Sequence, residues 1–511
     1  MKLKTKNKEA FFLVIILVFA AITRTMFFVG FGLGDDSYYA STSKLFMENG
    51  FKQLSLEFGS NYRIGLWIPI SLSFKLFGIN EVSFVLFSLL SSLGLIVVSY
   101  LIGKELFNEK VGLIAAFIIS IAPFDSVFAS TMTIDIPTNF LLAVSFLCFI
   151  KGIKSSKKKS ITYYLLSNLC IIWAYFIKFP SVSMIFVFIL ISLMNFKKIK
   201  RHLIFYIILS CLFLTSFLID YLLSGDPLHY FHQEMKYGPK PSPFASIGSW
   251  YFKWMFTREM SFGILMFGYL FYVSVFSIAY CIIKKMKTSY YLLIWFFTIF
   301  ACLEFLPMGL NPYMVAPRFF RYTHATFVPA VLISAMVLYS IWNSAVARFK
   351  KSSILIKALF SIFFVLLAYT SLLEANKLAN LYKDSFSDSK QAAMFLSILQ
   401  PKAIYTDNSM LDRFNFNTKY ERVNQTFPSF NIGFQKNVIE EKNYSVLSNI
   451  SDAYIVFGGS RAPDINPILV LNAKNFQVPS SWIMLKEIKK EVEIYRAESL
   501  KIYFIKVNQQ K

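Results

Sequence analysis

Two acidic positions could support acid–base chemistry. Asp35 and Asp36 are adjacent and directly follow the first apolar run, and Asp135 stands where a later apolar run begins, two residues before a proline. Carboxylates that border apolar runs are costly unless they are solvated, paired or used. The structural alternatives are an Asx turn at Asp35 or Asp36 and a helix cap at Asp135. We interpret all three as candidate catalytic residues.

A second set of residues could bind an anionic group. Arginine offers paired N–H donors to a phosphate and lysine offers a point charge, whereas the structural alternative is a cation that reaches from an apolar run to the membrane surface. The candidate phosphate-binding residues are Arg63, Lys178, Arg318, Arg321 and Tyr322.

Four further residues could take part in chemistry or metal binding. Glu304 is an acid inside an apolar run, which is a functional hypothesis by default. His229 and His232 are three residues apart, as in a helical metal pair, but no third ligand is evident. The sequence therefore predicts no metal site there, and Asp125 is a weaker acidic candidate.

The composition is that of a polytopic α-helical membrane protein. Of 511 residues, 56% are hydrophobic and only 16% are charged, against about 25% in soluble domains, and the chain contains 57 Phe. This excludes intrinsic disorder and an ordinary soluble fold. The net charge of +23 lies in short basic clusters between apolar runs, which is typical of cytoplasmic loops and argues against nucleic-acid binding.

Placing every basic cluster on the cytoplasmic side predicts about eleven spans, with a cytoplasmic N-terminus and an uncleaved first span rather than a signal peptide. The segment 64–78 is apolar but short, so we expect a helix that lies flat on the outer face or is re-entrant there. The predicted outer loops are 31–81, 124–135, 224–260 and 307–324.

The chain divides into two predicted regions. Residues 1–373 form the transmembrane domain, and residues 374–511 form a small α/β domain outside the cell. Helical spacing covers 391–399. Strand-like runs cover 403–406, 453–456, 491–495 and 501–507. The lone Gly pair at 458–459 does not predict a nucleotide-binding site.

The order of these features resembles the GT-C membrane glycosyltransferases of family 39, the dolichyl-phosphate-mannose-protein mannosyltransferases and aminoarabinose transferases. Asp35-Asp36-x-x-Tyr39-Ala40 is similar to that family's Asp-Glu-x-x-Tyr-Ala after the first span. Arg63 to Gly78, Asp135, Lys178-x-Pro180 and Arg321-Tyr322 follow in the family order. The resemblance covers roughly residues 10–330. Asp36 departs from the usual Glu, which leaves Asp35 as the better base candidate.

The resemblance implies an enzyme that transfers a sugar from a polyprenyl-phosphate donor at the outer face of the membrane. Direct displacement of the phosphate would invert the anomeric centre, and we expect the membrane to be a prokaryotic plasma membrane. The resemblance also implies Asp35 as the base, the cations as ligands of the donor phosphate, and Asp135 as a residue that orients a substrate or helps to hold a metal. Tyr39 and Glu304 would contact the acceptor or the sugar. No cofactor is certain, since only some relatives need a divalent ion such as Mg or Mn. The acceptor (protein, lipid or glycan) and the sugar stay open.

Two other functions remain. A transporter or flippase of lipid-linked sugars could use the same cations without chemistry, although charges that line a path across the bilayer would then be expected. A polysaccharide polymerase or ligase of another membrane fold would rely on outer Arg and His, without paired acids after the first span. The one-sided distribution of the candidate groups favours the enzyme.

Overall fold

Apolar runs joined by short polar turns form a bundle of α-helices in the computed structural model. The structure describes residues 3–32, 35–50, 63–236, 267–310, 313–315, 320–349, 352–400, 403–406, 408–421, 426–428, 453–457, 482–488 and 500–505. The helices of the bundle are α1 (Leu3–Met26), α2 (Asp35–Asn49), α3 (Ile64–Phe77), α4 (Glu81–Leu106), α5 (Glu109–Ile121), α6 (Pro123–Phe128), α7 (Asp135–Lys154), α8 (Lys157–Ile177), α9 (Met184–Met194), α10 (Ile199–Ser224), α11 (His229–Lys236), α12 (Leu270–Ile283), α13 (Tyr290–Phe305), α14 (Phe327–Arg348) and α15 (Ser353–Ile398).

Eight helices in the described part of the chain are long and apolar enough to cross a membrane, which confirms a polytopic helical membrane protein. They are Lys8–Met26, Glu81–Leu106, Asp135–Lys154, Lys157–Ile177, Phe196–Leu222, Lys287–Phe305, Arg321–Arg348 and Ile354–Lys383. Three other runs predicted as spans form the shorter helices α5, α9 and α12, so the number eleven stays a prediction. The predicted flat segment is helix α3, whose 14 residues extend only about 21 Å, less than a bilayer's apolar core.

The central helix of the bundle is α7. Its apolar stretch is 83% buried inside the protein, whereas only 11% of the corresponding stretch of α15 is buried. Large apolar side chains such as Leu355, Val365 and Leu366 are exposed on α15. An exposed apolar surface of this size is stable only against lipid, so α15 lies at the periphery and α7 carries its residues into the interior.

The turn between α4 and α5 illustrates how sequence sets local structure. Asn108 accepts the backbone N–H of Val111 at 3.0 Å and so caps the start of α5. Gly103 and Gly112 let the two helices touch, because a Cβ on Gly103 would lie 2.7 Å from the Cα of Gly112. Small residues are what close helix packing in a membrane requires.

Basic residues cluster at one end of the bundle. Lys154 pairs with Glu105 at 2.9 Å, Lys198 donates to the carbonyl of Ile153, and Arg201 donates to that of Ser155. The opposite end gathers the end of α1, the starts of α2, α4 and α7, and the end of α8. We call it the acidic end, because Asp35, Asp36, Asp125 and Asp135 all lie there.

A short 3₁₀ helix at Phe320–Thr326 completes the acidic end. It packs against α7, α13 and α14. On the other side of the same end, the segment that follows α1 is fixed to the turn after α6. The backbone N–H of Gly30 donates to the carbonyl of Ser130 at 2.9 Å, and that of Val29 donates to the Ser130 hydroxyl.

The C-terminal region contains a mixed five-stranded sheet. Its strands are β3 (Ala403–Thr406), β4 (Thr426–Pro428), β5 (Ala453–Phe457), β6 (Trp482–Ile488) and β7 (Leu500–Ile505), and a two-stranded hairpin, β1 (Pro307–Leu310) and β2 (Tyr313–Val315), precedes α14. The order in the sheet is β4-β3-β5-β7-β6, with β3 parallel to both of its neighbours and the other pairs antiparallel.

Sequence patterns located part of this region. The runs predicted at 403–406, 453–456 and 501–507 are confirmed as β3, β5 and β7, and the helical spacing at 391–399 is the end of α15. The run predicted at 491–495 and the Gly pair lie outside the described residues. Helix α15 is continuous across residue 373, where the sequence analysis divides the chain. A helix α16 (Asn408–Asn417), which the sequence analysis did not foresee, follows β3.

Candidate active site

A buried ion pair forms the floor of the site. Asp135 is the first residue of α7, and Lys178 directly follows α8. The Lys178 ammonium donates to the Asp135 carboxylate at 2.5 Å, and the two side chains are 12% and 3% exposed. Each charge lies at the helix end whose partial charge is opposite to its own, which stabilises both. Removal of Asp135 would leave the buried Lys178 ammonium without its carboxylate.

Arg321, in the 3₁₀ helix, joins this pair to the first acidic position. Its Nη2 lies 3.7 Å from the Asp35 carboxylate, and its Nε lies 3.9 Å from that of Asp135. One guanidinium therefore faces carboxylates from α2 and α7, which are separated by a hundred residues of sequence. Both distances exceed those of tight charge-assisted hydrogen bonds, so a bound phosphate would not have to displace a tightly bonded carboxylate.

Tyr322 and Arg63 lie close to Lys178 and Arg321. The Lys178 ammonium lies 3.9 Å from the centre of the Tyr322 ring, a cation–π contact. Arg63 precedes α3 and donates through Nη1 to the carbonyl of Ile177, at the end of α8. Four of the five residues predicted to bind phosphate thus lie around one position, and the fifth, Arg318, lies outside the described residues.

Asp35 and Asp135, the two carboxylates that face Arg321, differ in their exposure to solvent. The side chain of Asp35 is 62% exposed, whereas Asp135 is buried and bonded to Lys178. A general base must reach a proton on an incoming molecule, and only Asp35 is accessible in this way. Asp135 is suited instead to hold Lys178 and Arg321 in place.

Asp36, next in the chain, faces the interior. Its carboxylate accepts the backbone N–H of Gly32 at 2.7 Å. Burial raises the pKa of Asp36 from 3.8 to about 7, against the opposing effect of that hydrogen bond, and Asp35 raises it further. Tyr39 is buried beside these acids, and burial raises the pKa of its phenol. Asp36 is therefore placed to organise the start of α2 rather than to meet a substrate.

The raised pKa of Asp36 predicts a pH dependence of stability. A carboxyl whose pKa is higher in the folded protein stabilises the fold most when protonated, and this stabilisation is lost as pH rises from 3.8 to about 7. We expect the melting temperature of the wild type to fall, relative to that of Asp36→Asn, as pH rises through this interval, and to level off at higher pH. Thermal unfolding in detergent measures this, and parallel curves for the two proteins would contradict the assignment.

A buried network lies beneath the site. His324, in the same 3₁₀ helix as Arg321, places Nε2 3.0 Å from the Asp125 carboxylate, and its Nδ1 contacts the side-chain amide of Asn139. All three residues are buried. With the Asn139 amide nitrogen placed toward Nδ1, that ring nitrogen accepts and Nε2 donates to the Asp125 carboxylate. The network fixes the 3₁₀ helix to α6 and α7.

Sequence reasoning missed His324 and Asn139 as members of the site. The signal was spacing: Asn139 is one turn after Asp135 on α7, and His324 is three residues after Arg321, the separations that bring side chains to one helix face. Asp125, a weaker acidic candidate from the sequence, is the hydrogen-bond acceptor of this network.

The remaining predicted residues lie as follows. Glu304 is buried at the end of α13, which packs against the 3₁₀ helix that carries Arg321. His232 pairs with Asp226 at 2.6 Å at the surface, next to His229 at the start of α11. Among the described residues, no three His, Cys, Asp or Glu side chains gather as a set that could hold a metal ion.

This polytopic bundle, with acids and cations at one end, is similar to known membrane proteins in part of its sequence and in its fold. Residues 64–219 match the family model of dolichyl-phosphate-mannose-protein mannosyltransferase. No curated protein matches the chain significantly.

Solved structures match nearly the whole chain. ArnT from Cupriavidus metallidurans in the apo state is 13% identical, with a TM-score of 0.61 over 98% of both chains. The same protein bound to undecaprenyl phosphate matches with a TM-score of 0.61 over 97% of both. The oligosaccharyltransferase AglB from Archaeoglobus fulgidus, in complex with an inhibitory peptide and a dolichol-phosphate, is 13% identical, with a TM-score of 0.60 over 88% of this chain and 69% of its own.

These matches confirm the resemblance inferred from the sequence. The fold is that of the GT-C glycosyltransferases, and the family model supports the same group over the segment that includes α3, α7 and α8. Asp135 and Lys178 fall inside the matched segment, and Arg63 directly precedes it. Asp35 and Arg321 lie farther from it in the chain and join the site through the fold.

Proposed function

We propose that the protein is an inverting glycosyltransferase, which moves a sugar from a polyprenyl-phosphate donor to an acceptor at the outer face of the membrane. One observation carries this proposal: the Arg321 guanidinium lies within 4 Å of both Asp35 and Asp135, and Asp135 is paired with Lys178. An accessible carboxylate and a cluster of cations thus share one site.

The reaction is a displacement at the anomeric carbon. Asp35 accepts the proton of the acceptor hydroxyl as its oxygen attacks. The bond between the anomeric carbon and the phosphate oxygen breaks, and the electron pair leaves with the polyprenyl phosphate. Because attack and departure occur on opposite faces of the sugar, the configuration is inverted. The cations Lys178 and Arg321 stabilise the negative charge that develops on the leaving phosphate.

The charge balance of the site suits this leaving group. Arg63, Lys178 and Arg321 supply three positive charges against the carboxylates of Asp35 and Asp135. A donor phosphodiester carries one negative charge, and the released phosphomonoester carries about 1.5 to 2 at neutral pH. A site with a small excess of positive charge stabilises the released phosphomonoester more than the donor phosphodiester.

The two ends of the bundle support the proposed sidedness. Lys154, Lys198 and Arg201 lie at the end opposite to the site. Basic residues are concentrated on the cytoplasmic side of membrane proteins, so the acidic end faces outward. This orientation would put the C-terminal sheet outside as well, and the plasma membrane is the expected location.

The relatives support the type of donor. ArnT has been solved with undecaprenyl phosphate, and AglB with a dolichol-phosphate and a peptide. By analogy we assign a polyprenyl chain to the donor and leave the acceptor as protein, lipid or glycan. Tyr39 and Glu304 remain proposed contacts of acceptor or sugar, and Arg318 a proposed phosphate ligand. Asp135, which the sequence suggested as a metal ligand, is paired with Lys178.

The proposal is tested by mass spectrometry of surface glycans, glycolipids and glycoproteins from cells with and without the protein. We expect at least one glycan, glycolipid or glycoprotein to lack a sugar unit in the cells without the protein. A cell envelope of identical composition in both strains, together with translocation of lipid-linked sugar by the reconstituted protein, would favour the transporter instead.

A further inference from the structure

The C-terminal region contacts the segment that leads into the candidate base. Glu81, the first residue of α4, accepts from Lys390 of α15 at 2.8 Å and from Arg413 of α16 at 3.2 Å. We call Glu81, Lys390 and Arg413 the Glu81 cluster. Arg413 is 1% exposed, so this contact is internal rather than a surface ion pair.

The Glu81 cluster lies directly against the backbone that precedes Asp35. The Arg413 guanidinium is 5.0 Å from the centre of the Phe31 ring. Gly30 has a φ of +84°, and a Cβ there would lie 2.7 Å from the Glu81 carboxylate. The left-handed backbone at Gly30 favours a glycine, and any side chain there would have to displace the Glu81 carboxylate.

Aromatic packing strengthens the same contact. Phe416 of α16 stacks on Phe31, with ring centres 4.1 Å apart, and meets Phe84 of α4 edge-on at 5.7 Å. All three rings are buried. Beyond α16, Lys44 of α2 lies over the ring of Tyr420 at 5.6 Å. The C-terminal region thus touches both the segment before α2 and α2 itself.

We infer that helix α16 is a positioning element of the active site, in which Arg413 and Phe416 hold the Phe31–Gly32 segment and thereby the start of α2 with Asp35. The link is short: the Gly32 N–H donates to the Asp36 carboxylate, and Asp36 is adjacent to Asp35. This inference rests on the proposed function and gives the C-terminal region a role in it.

Arg413 also acts on Asp36 through its charge. The charged groups that face Asp36 are Asp35, Arg321 and Arg413, and the titratable phenol of Tyr39 lies beside them. The positive charge of Arg413 lowers the pKa of Asp36. Loss of that charge would raise it. Arg413 does not touch the site where a substrate would react, so it acts through the Phe31–Gly32 segment and Asp36.

The test compares Arg413→Gln with Lys377→Gln. Lys377 lies on α15 and makes an exposed ion pair with Glu374, so its replacement removes the same charge without touching the segment. We expect Arg413→Gln to speed hydrogen–deuterium exchange in peptides that contain Phe31 and Gly32, and to lower kcat for sugar transfer by about 10- to 100-fold. The affinity of Arg413→Gln for undecaprenyl phosphate should be unchanged. If Asp36 produces a limb of the pH–rate profile, identified as the limb that Asp36→Asn abolishes, that limb should move to higher pH in Arg413→Gln.

Exchange and kcat in Arg413→Gln equal to those of Lys377→Gln would overturn the inference. If Arg413→Gln does not fold, Arg413→Lys carries the test: it keeps the charge but loses the planar group over Phe31, and we expect intermediate exchange, whereas wild-type exchange would refute the role. The exchange readout needs no sugar transfer. An inactive wild type therefore overturns the proposed function, and normal exchange in an otherwise active enzyme overturns only the role of α16.

Discussion

Replacement of Asp35 by Asn is expected to lower sugar transfer by about 10²- to 10⁴-fold, the contribution of a positioned general base. Asn keeps the size of the side chain but cannot accept the proton of the acceptor. Asp35 is largely exposed and only loosely paired with Arg321, so the variant should fold and insert normally. The measurement is the release of polyprenyl phosphate by the protein in liposomes, with extracted lipid-linked sugars as donor and an envelope extract as acceptor.

The matched control is Glu48→Gln, on the same helix as Asp35. Glu48 is an exposed carboxylate paired with Lys44 through an i,i+4 contact, and such pairs contribute little to stability. It should transfer sugar at the wild-type rate. Transfer at that rate by a folded Asp35→Asn protein would remove Asp35 as the base.

Replacement of Arg321 by Gln is expected to have an effect of similar size. The guanidinium is the one group that contacts both Asp35 and Asp135 in the described site. Without the Arg321 guanidinium, the carboxylates of Asp35 and Asp135 repel the incoming phosphate, and Lys178 is already paired with Asp135. We therefore expect weaker binding of undecaprenyl phosphate and a fall in kcat of about 10²- to 10³-fold. Arg321→Lys should recover part of the loss, since lysine restores the charge but not the paired donors.

Arg348→Gln is the control for Arg321. Arg348 ends α14 at the opposite end of the bundle from the site. The change in net charge is the same, so a general electrostatic effect on an anionic lipid would appear in both variants. Equal affinity for undecaprenyl phosphate in Arg321→Gln and Arg348→Gln would contradict a phosphate site at Arg321.

The sequence predicted the helical bundle well because hydropathy is a strong signal over 20 residues. It also singled out Asp35, Asp135, Lys178 and Arg321, because charged residues beside apolar runs are few and therefore informative. The pairing of Lys178 with Asp135 could not be foreseen, since it depends on how α7 and α8 pack rather than on any local pattern.

Other features depended on tertiary structure. Only the resemblance to the family motif favoured Asp35 over Asp36 as the base, whereas the fold separates them by exposing the first and burying the second against Gly32. The contact of Arg413 with Glu81 joins positions more than 300 residues apart, and no motif marks it. Short strands such as β4 were missed because three residues give too little alternation to recognise.

The most direct test of the account is an electron cryomicroscopy structure of the protein with undecaprenyl phosphate bound. We expect the phosphate within hydrogen-bonding distance of Arg321 and Lys178, with the Asp35 carboxylate facing the position that a sugar on that phosphate would occupy. A phosphate bound instead among Lys154, Lys198 and Arg201, at the other end of the bundle, would contradict the account.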